Sequence, residues 1–579
     1  MQCNGKTTYL LDRNKQAVYS EFIRRTKMNL PEFVRLLRGE SPADSRPNKN
    51  LEIPSYHPAW VSYEYNSHWR AIVDHGVIPH WKKAFGKQDK PPPNHGSARR
   101  ALNTIVKNLR AGQDADRYLL LDLDLLSTLE GVTCSPFGAV SKGDVELSVD
   151  ARIIHDLSFP VGSSVNDNTI ADQEISITYD GPDALSNRIL DVAQSLPGQQ
   201  RMLTGDVNGA FRNIPIAADE VGRFAGTFPE LDILVIDFYC PFGWKNSPAS
   251  YWYAGAGIKH LYANSAPPSG HQSLKQSQNF DSRAWALGLE WDLQKLTVSM
   301  PEEKITKALR RVREMARRLK ATRTQLQKLM GSLRHVVTCV RAAAPFFQRI
   351  ADLTRRAPRF GVILVSAGAK DDLRWFELVL STGALNAIPL ARFVRRHEPD
   401  YHIQMDASDR GLCALFPARQ QFLQVEFNYE ELQLIEDFNR SGDGDFGINV
   451  RELMSAVFAA LVWGHLWSRP SQDSDAHVRF WIDNIAAVSW SNRRASRNRF
   501  AQMPLRILSL SEVKHGFYST AEHVAGVDND MADAGSRVWQ SPLLATKFSN
   551  MSCGWQQAQI PHDSRNLSRL WEHYSAQGL

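Results

Sequence analysis

The sequence predicts an α+β region followed, from about residue 400, by an α/β domain, and three observations lead to that class. Short apolar runs of strand length recur between Tyr118 and Pro248, each closed by Gly, Pro or Asn. A helical repeat of three- and four-residue steps takes over after Pro301. Strand-like and helix-like runs then succeed one another from Tyr401 to about residue 540, a mixed α/β order. The chain divides accordingly into a lead-in (1–115), an α+β region (116–300), a basic helical region (301–395), an α/β domain (400–540) and a C-terminal tail (541–579).

The lead-in mixes helical pieces with breaks at Pro79, Pro91–Pro93 and Gly96. The strand runs are YLLLDLDLL at 118–126, ARIIHDLSF at 151–159 and ILVIDFY at 233–239. After Pro301, Ile305, Leu309, Val312, Met315 and Leu319 define one helical face and leave the basic residues on the others. Leu326, Leu329, Leu333 and Val336 continue a second helix, expected to be interrupted at Gly331. In the last domain, residues 401–406 alternate in polarity and end on Asp406. A hairpin pattern through Gly411 and Phe427 follows, then an acidic stretch at 426–445 expected to be a solvated loop. Asn449-Val-Arg-Glu452 opens an apolar helix reaching about Trp467. Residues 478–483 form a strand ending in Asp483, and the segment from His523 to Arg537 closes the domain.

Composition narrows the function classes. The 579 residues carry 68 Lys+Arg against 62 Asp+Glu, a net +6, with 43% hydrophobic and 10% aromatic residues, enough for sizeable cores. The 6 cysteines are far apart with no Cys-x-x-Cys, which excludes a disulfide framework and a zinc site built on paired cysteines. No apolar run has the ~18–20 residues of a bilayer span, and the N-terminus lacks the layout of a signal peptide. The expectation is an intracellular protein, in cytoplasm or nucleus, with no membrane partner. The mild total hides a local bias. Residues 301–350 hold thirteen Lys/Arg and only three acids, pointing to a polyanion partner.

The strongest chemistry lies in 401–540. Two-metal phosphodiester hydrolysis needs hard oxygen ligands gathered from separate elements around ions ~3.5–4 Å apart. Two carboxylates at strand ends (Asp406, Asp483), one on a packed helix (Glu452) and one on a last helix (Asp533) meet that need, with His523 nearby to relay protons. Each has a structural reading too: Glu452 as the partner of Asn449 in a capping box, Asp483 as a helix N-cap, and Asp533 as a surface acid.

Asp406, Glu452, Asp483 and Asp533, with His523, resemble the Asp-Glu-Asp-Asp tetrad of ribonuclease H domains. HVAGVDNDMADAGSR, INVRELMSA and WIDNIAAV resemble the motifs of retroelement ribonuclease H domains. Upstream, the chain resembles reverse transcriptases of DIRS-type retroelements. The carrying residues are Arg152–Pro160 with Ser164-Val-Asn166-Asp167, Leu203-Thr-Gly-Asp206-Val-Asn-Gly-Ala210-Phe211, Cys240-Pro-Phe-Gly243 through Pro248, and Leu326-x-x-Leu329-x-Gly331-x-Leu333. The likeness spans about residues 60–540. It implies a fingers, palm and thumb arrangement followed by a ribonuclease H-like domain. It also implies two Mg²⁺ ions (or Mn²⁺) held by Asp406, Glu452, Asp483 and Asp533, a further catalytic metal ligand at Asp206, and a nucleotide pocket at Phe211 and Gly243. The implied partners are an RNA–DNA hybrid and a primer–template duplex, gripped by Arg310, Arg311, Arg313, Arg317, Arg318 and Lys320.

One motif of the resemblance is missing. Such polymerases carry an Asp-Asp hairpin after the Pro-Phe-Gly motif, yet from Pro248 to Leu289 the only acid is Asp281. The adjacent pair Asp371-Asp372 lies in a helical segment far beyond. The palm is therefore expected to be truncated and the polymerase inactive, with the nuclease intact. The alternatives are a nucleic-acid-binding remnant without turnover, and an active RNA-directed DNA polymerase if the missing segment reflects a wrongly joined transcript.

Overall fold

The computed structural model describes all residues except 1, 4–5, 87, 89, 143–144, 178, 203, 206, 266–281, 383–384, 395–397, 443–444, 468–475, 562–564 and 568–579. The chain divides into two units, Met1–Tyr179 with Gly205–Gln278 and Asp180–Thr204 with Asn279–Leu579.

In the first unit, strands β1 (Tyr118–Asp122), β2 (Phe137–Ser141), β3 (Ala151–His155), β4 (Ala225–Phe228) and β5 (Ile233–Asp237) precede helix α1 (Ser247–Ser265). The sheet is antiparallel in the order β1-β5-β4, and β2 and β3 form a separate hairpin. Central β5 is buried along its whole length, which accounts for its unbroken apolar run. The expected strand at 118–126 stops at Asp122, where a 3₁₀ turn takes Leu123–Ser127. In the lead-in, helices Leu30–Arg38 and Asn66–His75 place Phe33, Val34, Trp69 and Ile72 in the same core as Leu119 and Ile236.

The second unit contains β6 (Arg283–Ala286), β7 (Leu289–Asp292), β8 (Thr297–Ser299) and β9 (Ile388–Pro389), an antiparallel sheet in the order β9-β8-β7-β6. Between β8 and β9 run α2 (Glu302–Arg317), α3 (Arg323–Cys339), α4 (Ala344–Arg356) and α5 (Ala367–Ser381). α2 buries Ala308, Val312 and Met315, but Leu319 lies beyond its end and is exposed, so the expected apolar face is one turn shorter. α3 starts at a Thr322–Gln325 capping box and passes Gly331 without a break. The burial of Leu326, Leu329, Leu333 and Val336 outweighs the roughly 1 kcal/mol that a mid-helix glycine costs.

The rest of the unit comprises β10 (Tyr401–Ala407), β11 (Gly411–Phe416), β12 (Gln421–Glu426), β13 (Ala476–Ile482), β14 (Phe517–His523) and β15 (Gln556–Gln557). With them are α6 (Tyr429–Ser441), α7 (Ile448–Trp463), α8 (Ile485–Arg493), α9 (Arg499–His515), α10 (Asp530–Ser536) and α11 (Pro542–Met551). The six strands form one sheet, β14-β13-β10-β11-β12-β15, in which β10, β13 and β14 run parallel and β10, β11 and β12 make antiparallel hairpins. The acidic stretch expected as a loop is largely helix α6. Its Asn428–Glu431 capping box and the acids of its first turn favour the helix, and Gly442 ends it with a positive φ. From the C-terminal segment, β15 pairs with β12.

Edge strand β14 is sealed by side chains. The Ser519 N–H donates to Glu512 Oε1 (2.7 Å), while Asn492 both accepts from the Ala521 N–H (2.9 Å) and donates to its carbonyl (2.8 Å). Within the same unit α5 docks on α9 through buried Asp372, which meets Arg506 at 3.3 Å and Arg349 at 3.5 Å. Among the described residues no helix is long and apolar enough to cross a membrane.

Candidate metal centre

Parallel pairing of β10 with β13 runs from Tyr401↔Val478 to Met405↔Ile482, so Asp406 and Asp483 follow the last registered pair at adjacent strand ends. α7 packs against β10 and brings Glu452 to the same place. One carboxylate oxygen from each of Asp406, Glu452 and Asp483 lies within 4.8 Å of the others, the only such group of three among the described residues. Asp406 and Glu452 are 2% and 1% exposed, whereas Asp483 opens to solvent.

The structural alternatives for these acids are used up by their neighbours. α7 starts from Gly447, so Asn449 lies inside the helix, where its Oδ1 accepts from Asn484 Nδ2 (2.8 Å), and Glu452 belongs to no capping box. α8 is capped by Asn484, whose Oδ1 takes the Ala487 N–H (3.0 Å), which relieves Asp483 of that role. Asp533 sits in α10 and pairs with Arg537 at 2.7 Å; it lies outside the three-oxygen group, but its charge acts on Asp406. His523 ends β14 opposite Ile482, exposed and one strand across from Asp483.

Hydrogen bonds fix the buried carboxylates without neutralising them. Ser536 Oγ donates to Asp406 Oδ2 (2.5 Å), and the Ala407 N–H donates to Glu452 Oε1 (2.9 Å). Glu452 Oε2 is buried without a donor. Arg451, next in sequence to Glu452, directs its guanidinium instead to the Ser408 carbonyl (2.7 Å) and Asp409 (2.6 Å). Burial, then the charges of Asp483 and Asp533, push the Asp406 carboxyl up to about 7 against the pull of Ser536. Burial raises Glu452 well above the usual carboxylate range, with Asp406 and Asp483 adding to it. A set of oxygen donors with no protein cation among them suits a hard divalent ion such as Mg²⁺ or Mn²⁺.

Sequence reasoning missed Ser536 and Arg451. For Ser536 a signal existed: it stands three residues after Asp533, on the same helical face. Asn529, quoted only as part of the terminal motif, is buried and donates to the Met405 carbonyl (2.9 Å), tying the start of α10 to β10.

In the first unit, Asp206 lies outside the described residues. Phe211 is half-buried against Phe242 and Tyr251, with ring centroids 5.1 and 5.9 Å away. A Cβ on Gly243 would stand 2.0 Å from the His155 carbonyl, so only glycine fits, and Asn166 Nδ2 holds the Gly243 carbonyl at 2.8 Å. In the second unit, Arg310, Arg313, Arg317, Arg318 and Lys320 are exposed, but Arg313 is paired with Glu377 (2.7 Å). Arg311 turns inward to the Lys328 carbonyl and Ser332.

No protein-family model matches the chain, and no curated protein does. Among solved structures it is similar to a foamy viral protease–reverse transcriptase in complex with double-stranded DNA, at 14% identity and a TM-score of 0.37, over 82% of this chain and 97% of that one. It is also similar to the dRH form of that protein with double-stranded DNA, at 13% identity and a TM-score of 0.36, over 82% of each chain.

Proposed function

We propose that residues 400–540 are a ribonuclease H-type endonuclease that cleaves the RNA strand of RNA–DNA hybrids, within a retroelement-derived, reverse-transcriptase-like chain. The observation that carries this reading is the meeting of Asp406, Glu452 and Asp483, two of them buried, with no ion pair to any of the three among the described residues. Asp406, Glu452 and Asp483, with Asp533 one helix away, would hold divalent ions. Such ions, when bound, polarise the scissile phosphodiester and activate water. Glu452 Oε2 and exposed Asp483 present the oxygens left over from internal hydrogen bonds. His523, exposed at the neighbouring strand end, is the group able to take or return a proton. The motif order in 401–537 supports the hybrid as substrate, and exposed Arg310, Arg317, Arg318 and Lys320 support a salt-sensitive grip on its backbone.

The test is cleavage of a labelled hybrid by purified protein in Mg²⁺, beside Asp483→Asn. Equal rates in the two reject the site; salt-sensitive binding without turnover favours a nucleic-acid-binding remnant instead. For the reverse-transcriptase-like half we propose no templated synthesis, because the interval from Pro248 to Leu289 supplies a single acid. Asp206-dependent primer extension would overturn that.

A further inference from the structure

We propose that Ser536 is a positioning residue for the metal centre, orienting Asp406 so that one oxygen is engaged internally and the other is left for a cation. This inference rests on the ribonuclease H-type reading of the site. Ser536 is fully buried and holds the end of β10 at two points. Its Oγ meets Asp406 Oδ2 at 2.5 Å, and its carbonyl accepts from Ser408 Oγ at 2.7 Å. At the other end of α10, Asn529 Nδ2 reaches the Met405 carbonyl at 2.9 Å. The helix carrying Asp533 is thus fastened at Met405, Asp406 and Ser408, through an amide side chain, a hydroxyl and a backbone carbonyl.

The hydroxyl has one proton and two acceptors in reach, Asp406 Oδ2 at 2.5 Å and the Asp533 carbonyl at 3.0 Å. A carboxylate is the stronger acceptor, and the shorter contact marks it as the partner. With Oδ2 so engaged, the carboxylate plane cannot rotate freely, and Oδ1 is set relative to Glu452 and Asp483. No other side-chain donor to Asp406 stands among the hydrogen bonds of the described residues. Arg537 serves Asp533 and does not replace it.

Outer partners of ligating carboxylates alter metal affinity by about 10–100-fold when removed. The experiment titrates full-length protein with Mn²⁺, followed by electron paramagnetic resonance, for wild type, S536A and S536T, with melting temperatures measured alongside. S536A is expected to bind Mn²⁺ at least about tenfold more weakly at an unchanged melting temperature, and S536T to recover most of the affinity. S536A that binds as tightly as wild type overturns the inference, and so does a folded S536T as weak as S536A. If S536A does not fold, S536C, close in size but a weak donor, makes the same comparison. Hybrid cleavage is assayed in parallel. Absent cleavage with intact wild-type Mn²⁺ binding rejects the proposed reaction and leaves the Ser536 result to stand. Normal cleavage and Mn²⁺ binding in S536A reject Ser536 alone. No Mn²⁺ binding by wild type overturns both.

Discussion

Two buried aspartates on strands, Asp237 in the first unit and Asp406 in the second, meet opposite surroundings. Asp237, at the end of β5, is 2% exposed and is matched by Arg212 at 2.5 Å. Burial pushes its carboxyl up, and Arg212 pulls it back. The same solution recurs in the second unit, where buried Asp372 faces Arg506 and Arg349, and buried Glu512 faces Arg494 at 2.5 Å and Arg341 at 3.1 Å. Asp406 and Glu452 are buried as deeply, yet face Asp483 and each other. Among the described residues the other buried acids are paired with arginine, whereas these two have neutral hydrogen-bond donors and no ion pair of their own, which leaves a place for a cation the chain does not encode. The contrast separates acids that hold the fold together from acids that destabilise it locally until something binds.

The comparison can be broken by substitution. Its largest expected effect is on turnover: Asp406→Asn should lower hybrid cleavage at least about a hundredfold, since metal clamping is worth several kcal/mol, while leaving the melting temperature equal to or above wild type. A fall in melting temperature would place Asp406 with the structural acids. Next, Arg212→Leu should cost roughly 3–5 kcal/mol, because it strands Asp237 in the interior, and Arg494→Leu should approach that cost, since it leaves buried Glu512 only the longer Arg341 contact. Chemical denaturation measures both, and a cost under about 1 kcal/mol would dissolve the contrast.

A third prediction concerns pH. Asp406 goes from its ordinary 3.8 to about 7, and Glu452 moves the same way, so these two groups hold more protons in the folded protein than in the unfolded chain across that window. Their contribution to stability in chelator should therefore fall as pH rises from about 4 to 7, so that Asp406→Asn gains on wild type over that interval, and Mg²⁺ should restore wild type at the upper end. A stability difference between the two that does not change with pH in chelator would contradict the shifts. The smallest effect belongs to the basic surface. Exchanging Arg317 or Arg318 for Ala should reduce the slope of log affinity against log salt by about one each, with no change in hybrid sequence preference.

Much of this was legible along the chain because the relevant patterns are local. Alternation in residues 401–406 and 478–483 marks strands that end on acids, and leucine spacing marks α3. Other features answered to partners distant in sequence. Leu319 fits the helical period but falls beyond the last turn of α2. The acids at 426–445 looked like a solvated loop because charge dominates composition, whereas a cap at Asn428 and a glycine stop at 442 determine the helix. Arg451 carries no mark in the sequence, and the spacing of Ser536 from Asp533 shows only a shared helical face, since their partners, Ser408 with Asp409 and Asp406, lie tens of residues or more away.

The sequence by itself determined which residue types could do the chemistry, their order along the chain, and the basic bias of the helices at 301–350. Local periodicity and hydrogen-bonding chemistry suffice for that. Tertiary packing alone shows that Glu452 and Asp483 are free of capping duty, that they converge with Asp406 within 4.8 Å, and that among the described residues no arginine forms an ion pair with any of the three. The physical reason is that charge compensation in an interior depends on distance and burial. Both are set by strand register and helix packing between segments that do not neighbour one another in sequence.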